Sequence, residues 1–193
     1  MSQYALYKTQ TSGNQQPVPI ERVTLGLPVI DTNHAQIHAG NAYSLSGVFT
    51  IPGGATKDIT VYVPPGTYVH YQATDISTNG GNTINAYLYE DITIISGGTA
   101  ITPVNRRRLG TPQPSQLTVL EDPTIQALTT ELLADRWYFP KSSTNQIQNS
   151  ISKSDTNEWV LKQDCTYLFR IVNSATDTVV VNFRPFWYEE DSA

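Results

Sequence analysis

Charge and sulfur-containing residues are scarce in this chain. Lys, Arg, Asp and Glu make up 15% of the 193 residues, against about 25% in a typical soluble domain. The net charge of −5 disfavours a general nucleic-acid binder, which needs a basic surface to neutralise phosphates. The single cysteine, Cys165, excludes an intrachain disulfide and a zinc–thiolate cluster. The composition therefore predicts neither a nucleic-acid partner nor a disulfide-stapled fold.

Long apolar runs are missing as well. Residues 1–20 contain no apolar segment of the kind that a secretory signal requires. No stretch reaches the ~18 apolar residues of a membrane-spanning helix. The 39% of hydrophobic residues still suffice for one buried core, and the length is too short for two comfortable domains. We expect one main domain and no membrane partner.

The uncharged polar residues that stand in place of charged ones favour strands over helices. Thr, Ser, Asn and Gln accompany Val, Ile and Tyr, which suit turns and pleated strands. Twelve Pro and twelve Gly interrupt the chain at short intervals, and the runs between them have the spacing of a sandwich or barrel. The predicted strands are 43–51, 58–63, 67–73, 83–95, 116–120, 158–162, 166–172 and 178–188. The sequence thus predicts an all-β fold.

The first 33 residues differ from the rest. We predict an extended N-terminal arm over 1–33 and a single β-sandwich domain over 34–193. Residues 9–19 are polar and lack periodicity, which is typical of a floppy terminus. The arm also carries apolar residues, which favour a segment that orders against a neighbouring subunit. Those residues are Val18, Ile20, Val23 and Leu25. Both interpretations stay open.

Two further segments depart from strand alternation. Residues 122–136 begin with Asp122-Pro123 and continue with leucines at a spacing near 3.6, which favours a short helix. Thr129-Thr130 in the same segment favours a strand, so both structures remain open there. Residues 33–40 lack helical support and are predicted as a loop or strand edge.

The histidines, serines and cysteine of the chain show no motif of a metal site or a catalytic site. His34 and His38 would lie roughly 13 Å apart on a strand, too far to share one ion. On a helix they would be well placed, but residues 33–40 lack helical support, and no zincin pattern follows them. No Gly-x-Ser-x-Gly is present. An acidic neighbour, Asp164, disfavours an activated thiolate at Cys165. The sequence predicts a non-enzymatic protein with no catalytic residue, metal or cofactor.

The remaining candidates are basic and aromatic. Arg106-Arg107-Arg108 is the densest positive charge in the chain and is either a solvated loop or an electrostatic contact with an acidic partner. Trp137-Tyr138-Phe139 and Phe186-Trp187-Tyr188 place rings on both sides of a strand, which indicates burial between sheets or an interface. Trp159, in an alternating segment, is predicted to lie in the core.

Several short motifs, taken in order over roughly residues 34–189, resemble a family of tailed-phage virion proteins. They are His38-Ala39-Gly40-Asn41-Ala42-Tyr43, Tyr87-Leu88-Tyr89-Glu90, Gly97-Gly98-Thr99, Asn105-Arg106-Arg107-Arg108, Glu158-Trp159-Val160-Leu161-Lys162, Thr166-Tyr167-Leu168-Phe169-Arg170-Ile171 and Phe186-Trp187-Tyr188-Glu189. The resemblance implies a capsid decoration or cement protein. The arm and residues 122–141 do not match the family pattern.

The resemblance implies a fold, partners and a location. The fold would be a jelly-roll-like antiparallel β-sandwich, and the partners would be the major capsid protein and further copies of the chain, as a dimer or trimer. The protein would be made in the host bacterial cytoplasm and would end on the outer capsid surface of the virion. Candidate interface residues are Val18, Ile20, Val23, Leu25, Arg106, Arg107, Arg108, Trp137, Tyr138, Phe139 and Trp187.

Two alternatives remain beside the cement protein. One is a tail- or fibre-associated or carbohydrate-binding β-sandwich used in host attachment, in which exposed Trp and Tyr would stack on sugar rings. The other is a small glycosidase, which would require two convergent carboxylates roughly 5–9 Å apart in a groove.

Overall fold

The computed structural model describes residues 7–9, 15–17, 32–78, 83–129, 131–139 and 158–191. The chain divides into two compact units, Met1–Ala35 and Gln36–Ala193. In the first unit, β1 (Tyr7–Thr9) and β2 (Gln15–Pro17) pair antiparallel. The predicted interface residues of the arm, Val18, Ile20, Val23 and Leu25, lie outside the described residues. None of the described residues belongs to a helix long and apolar enough for a membrane span.

The segment 33–40 is helical, so the prediction of a loop or strand edge was wrong. α1 (Thr32–Ala39) ends at Gly40, whose φ of +89° is the left-handed conformation common just after helices. The N–H groups of Gly40 and Asn41 donate to the carbonyl of Gln36, at 3.1 and 3.0 Å. The helix buries none of its residues, so the apolar periodicity that would reveal it in the sequence is missing.

Strands make up most of the second unit. Those described are β3 (Ala42–Ser44), β4 (Gly47–Ile51), β5 (Thr56–Val63), β6 (Thr67–Thr78), β7 (Ile84–Glu90), β8 (Ile94–Ser96), β9 (Thr99–Ala100), β10 (Val104–Asn105), β11 (Thr118–Glu121), β12 (Thr124–Ile125), β13 (Leu132–Phe139), β14 (Trp159–Leu161), β15 (Cys165–Asn173) and β16 (Val179–Asp191). These strands range from two residues in β9, β10 and β12 to 12 in β6 and 13 in β16.

The strands form two six-stranded antiparallel sheets. The first has the order β10-β3-β16-β6-β14, with β4 also pairing with β16. The second has the order β13-β7-β15-β5-β11-β9. A separate two-stranded ribbon joins β8 and β12.

The chain crosses repeatedly from one sheet to the other. After β3 and β4 in the first sheet, β5 lies in the second, β6 in the first and β7 in the second. Later, β13, β14, β15 and β16 alternate in the same way. As a result, β15 lies between β7 and β5, and β16 lies beside β6 with β3 and β4 on its other side.

The core lies between the facing sides of the two sheets. On β15, Tyr167, Phe169 and Ile171 point to one side and are buried. The ring of Phe169 lies 5.6 Å from Tyr71 and 5.3 Å from Phe183, both on the first sheet. These contacts hold the sheets in a sandwich-like arrangement. The prediction of a mostly-β antiparallel sandwich is therefore confirmed.

The ambiguous segment 122–136 is strand wherever it has regular structure among its described residues. Thr124–Ile125 forms β12, and Leu132–Phe139 forms β13, which pairs with β7 along its length. A register shift between Leu133 and Asp135 interrupts the ladder. Pairing with β7 thus prevails over the helical spacing of the leucines.

Candidate functional site

Two arginines flank one aromatic ring on the first sheet. The guanidinium carbon of Arg106 lies 5.2 Å from the ring centroid of Phe186, and that of Arg184 lies 5.6 Å from it. Both distances are within the range of a cation–π interaction. Arg106 follows β10, whereas Arg184 and Phe186 lie two apart on β16 and therefore share one face of the strand. With Arg107 and Arg108, these arginines form what we call the arginine surface.

The loop that carries the arginine triplet is anchored by a buried amide. Asn105 Nδ2 donates to the carbonyls of Gly40 and Gln113, at 2.7 and 3.0 Å. Its Oδ1 accepts a 2.9 Å hydrogen bond from the N–H of Arg107. The N–H of Arg106 donates to the carbonyl of Ala42 at 2.8 Å. The triplet is therefore fixed to the sheet rather than carried on a loose loop.

Among the described residues, the arginine surface has no carboxylate counter-ion, whereas Lys57, Lys162 and Arg170 each have one. Lys57 pairs with Asp122 at 2.6 Å, Lys162 with Asp91 at 3.0 Å, and Arg170 with Asp58 at 2.7 Å. Within the described part of the chain, no carboxylate pairs with the arginine surface. Its positive charge is left to solvent or to a partner.

The aromatic candidates take three different environments. Tyr138 is 60% exposed, Phe139 is buried, and Trp137 is half-buried against the core. Trp187 is only 5% exposed, stacks on Tyr43 and donates from Nε1 to Glu189 at 2.8 Å. Tyr138 is the one of these four that offers a large exposed ring.

Trp159 was predicted to lie in the core, and that prediction was wrong. Its side chain is 39% exposed on β14, the last strand of the first sheet. It pairs in register with the buried Tyr71, but β14 is at the sheet edge, where the described residues provide no strand on the other side. The alternation correctly predicted that Trp159 lies on the same face of the sheet as buried residues such as Tyr71. Trp159 is nevertheless partly exposed because β14 is the edge strand among the described residues.

The histidines predicted not to share a metal lie on α1. His34 and His38 are one turn apart on that helix, but the described residues include no group of three or more His, Cys, Asp or Glu side chains placed to hold an ion. Asp31, the acidic residue nearest to them in the sequence, lies outside the described residues.

Cys165 is buried at the start of β15. Burial raises the pKa of its thiol to about 11, and the nearby Asp91, whose Oδ1 lies 3.3 Å from Sγ, acts in the same direction through charge. The sequence argument gave the correct direction but named Asp164 as the acidic neighbour. Asp164 instead accepts a hydrogen bond from the Tyr62 hydroxyl at 2.9 Å.

A second charged cluster was invisible in the sequence. His70 contacts Glu158 through Nδ1 and stacks on Tyr188 with centroids 4.3 Å apart and planes inclined by 7°. The Tyr188 hydroxyl donates to Glu158 at 3.1 Å, and burial raises the pKa of this hydroxyl. His70 and Glu158 are far apart in the chain and come together only through the β6–β14 pairing.

Polar side chains line a cavity of about 490 Å³ beside β3 and β16. Three amides, one carboxylate, one tyrosine and one proline surround it. They are Asn41, Gln113, Gln116, Glu189, Tyr43 and Pro114. We call this cavity the polar pocket. None of its lining residues was a candidate site residue in the sequence, although Asn41, Tyr43 and Glu189 belong to motifs of the family resemblance.

A buried carboxylate fixes one wall of the polar pocket. Glu189 is 5% exposed, and its Oε1 accepts hydrogen bonds from Ser115 Oγ at 2.5 Å and Trp187 Nε1 at 2.8 Å. Its Oε2 accepts from the N–H of Gln116 at 2.8 Å. These bonds tie the segment 115–116 to β16 and compensate the buried charge.

Comparison of the chain with protein-family models, curated protein sequences and solved structures gives no match.

Proposed function

We propose that this protein is a non-enzymatic capsid decoration or cement protein of a tailed phage. It would bind the outside of the major capsid shell and stabilise it by bridging neighbouring subunits. It would be made in the host bacterial cytoplasm and function in the virion, without a cofactor.

The observation that carries the proposal is the order of the strands. Taking β3 with β4 as the first strand, and then β5, β6, β7, β13, β14, β15 and β16, the first sheet has the order 1-8-3-6 and the second 2-7-4-5. We interpret this order as that of a jelly roll, an architecture that recurs in viral capsid proteins and lectins. It supports the finer proposal that the sandwich is a jelly roll, the fold that the sequence resemblance implies.

The arginine surface is our candidate for the capsid contact. The protein as a whole carries a negative net charge and would repel an acidic capsid surface. Attraction is expected only near the arginine surface, within a Debye length of about 10 Å. Guanidinium groups bind carboxylates in a bidentate manner, and the Asn105 anchor holds the loop in place before binding. Each contact can be modest, because an oligomeric binder on a repeating lattice multiplies it.

Self-association is proposed through the exposed apolar side chains of β13. Leu132, Leu133 and Tyr138 are each at least 45% exposed on this strand. In the described part of the chain, β13 pairs only with β7, so it forms an edge of the second sheet. Exposed apolar edge strands favour pairing with another chain. A homo-oligomer, dimer or trimer, would cover them.

Co-sedimentation with capsids that lack the protein tests the proposal. We expect saturable binding to expanded shells, no binding to unexpanded shells, and a gain in the thermal stability of the expanded shells, because a ligand stabilises the state it binds better. Failure to bind either form would refute the cement function.

The same assay tests the arginine surface. Arg106→Glu should weaken capsid binding at least about tenfold, since it replaces an attractive charge contact by a repulsive one. Lys162→Glu is the matched control for net charge, because Lys162 is also exposed and lies between β14 and β15, outside both the arginine surface and β13. Equal losses in both variants would show that only net charge matters.

A further inference from the structure

We propose that the polar pocket is a saccharide-binding site. The proposal does not depend on capsid attachment. It would give the protein a second function, the binding of a sugar residue of a cell-surface or other polysaccharide.

The lining of the pocket selects the chemistry of the ligand. None of its six residues is Lys, Arg or His, so an anion would find no charged partner there. The amides and the carboxylate dominate, so an apolar ligand would leave them without hydrogen bonds. A ligand with several hydroxyl groups can bond with all of them, because amides both donate and accept and a carboxylate accepts.

Several of these groups have bonding capacity left within the described structure. A carboxylate oxygen can accept two hydrogen bonds, and Glu189 Oε2 accepts one from the described residues. Asn41 Nδ2 donates to Gln36 at 3.0 Å, which leaves Oδ1 of the same amide without a described donor. The side-chain amide of Gln113 makes no hydrogen bond to any described residue, although its backbone carbonyl binds Asn105.

A cationic ligand is disfavoured by the neighbourhood of the pocket. A Cβ placed on Gly40, next to the lining residue Asn41, would lie 3.4 Å from Cδ and 3.7 Å from Nη1 of Arg107. The Arg107 side chain therefore lies beside the backbone of Gly40. The negative charge of Glu189 is already compensated by three donors. A neutral polyhydroxylated ring fits these conditions better than an ammonium or guanidinium group.

The pocket is held in shape before any ligand binds. The carbonyl of Asn41 accepts from the N–H of Glu189 at 2.9 Å, and Tyr43 donates from its hydroxyl to the carbonyl of Pro114 at 3.2 Å. Gln116 Oε1 accepts from Thr67 at 2.6 Å. Such preorganisation lowers the entropy lost on binding. The cavity volume is also within the usual range of small-molecule sites, about 300–1,000 Å³.

The polar pocket and the paired arginines of the arginine surface face different sides of the first sheet. Phe186, which the arginines flank, and Glu189 are three residues apart on β16, so their side chains point to opposite faces. Trp187 and Glu189 share the inner face with the core, and Phe186 lies on the outer face. A sugar and an acidic protein surface could therefore bind together.

Saturation-transfer NMR and a bacterial glycan array test the site with the full chain. The soluble probes are glucose, galactose, N-acetylglucosamine and galacturonic acid, with arginine amide as a cationic probe. We expect transfer to at least one saccharide, weakened at least about tenfold by Gln113→Ala and abolished by Gln113→Trp, which fills the pocket. Gln126→Ala, an exposed glutamine outside the pocket, is the matched control and should bind as the wild type does.

Three outcomes would overturn the proposal. The first is the absence of any saccharide signal from the folded wild type in both assays. The second is saccharide binding that Gln113→Trp leaves intact, which would place the site elsewhere, for example at the exposed Tyr138 or Trp159. The third is binding of arginine amide instead of sugars. Capsid co-sedimentation of Gln113→Trp, measured in parallel, separates failure of this proposal from failure of the cement function.

Discussion

At the scale of single residues, burial distinguishes the polar side chains that make specific contacts. Asn105, Cys165 and Glu189 are all at most 5% exposed, and each is surrounded by specific partners. Asn105 and Glu189 hold loops to the sheets through side-chain hydrogen bonds, whereas Cys165 is a small core residue with a protonated thiol. Nothing in their local sequence distinguishes them from exposed residues of the same type.

The thiol of Cys165 makes stability depend on alkaline pH. Because burial raises its pKa from 9.0 to about 11, the folded state holds the proton more tightly than the unfolded state. Its contribution is fully present below pH 9 and is lost as the pH rises towards 11. Urea unfolding between pH 8 and 11 should show a steeper loss of stability for the wild type than for Cys165→Ala. Parallel curves for the two proteins would contradict this expectation.

Alkylation with iodoacetamide offers an independent check on the same thiol. We expect little reaction of the folded protein at pH 8, since the thiolate is the reactive form, and rapid reaction after unfolding in urea. Fast modification of the folded protein at pH 8 would mean that Cys165 is exposed or activated.

At the scale of elements, the side chain of Asn105 connects the loop that carries the arginine triplet to Gly40 and Gln113. Asn105→Ala removes donors to two backbone carbonyls and the acceptor for the Arg107 N–H. Leaving buried backbone groups unpaired costs about 1–3 kcal/mol, and we expect a loss of that size in urea unfolding. Asn182→Ala, at an exposed amide bonded to Ser77, is the control and should change stability by less than about 0.5 kcal/mol. Similar losses in both would exclude a special role for the anchor.

Elements also show what the sequence could and could not predict. Gly53 and Gly54 form a turn between the predicted strands 43–51 and 58–63, and a Cβ on Gly53 would collide with the backbone of Thr176. The helix over 32–39 was not predicted because none of its residues is buried, so its sequence has no apolar stripe. Its C-terminal end is closed by hydrogen bonds from Gly40 and Asn41 to the carbonyl of Gln36. The polar pocket could not be predicted because residues 113–116 and β16 are distant in the sequence and only the fold brings them together.

At the scale of the whole molecule, stability depends on the contact between the two sheets. Phe183 is fully buried on β16 and packs against Phe169 of the other sheet. Phe183→Ala should destabilise the protein by about 3–5 kcal/mol through lost burial and the remaining cavity, as measured by thermal or urea unfolding. Val48→Ala, at a residue that is 67% exposed, should have little effect. A small change at Phe183 would mean that the sheets are not tightly packed.

The alternation of strands between sheets also constrains how the protein is synthesised. β16 lies beside β6 and is the hydrogen-bonded partner of β3 and β4, so the first sheet stays incomplete until residues 179–191 have left the ribosome. Until then β3, β4 and β6 have no strand between them, and their unpaired edges are exposed to aggregation. Pairings between residues so distant in the chain also slow folding. The emergence of β16 is therefore the step of synthesis after which β3, β4 and β6 can pair their exposed edges.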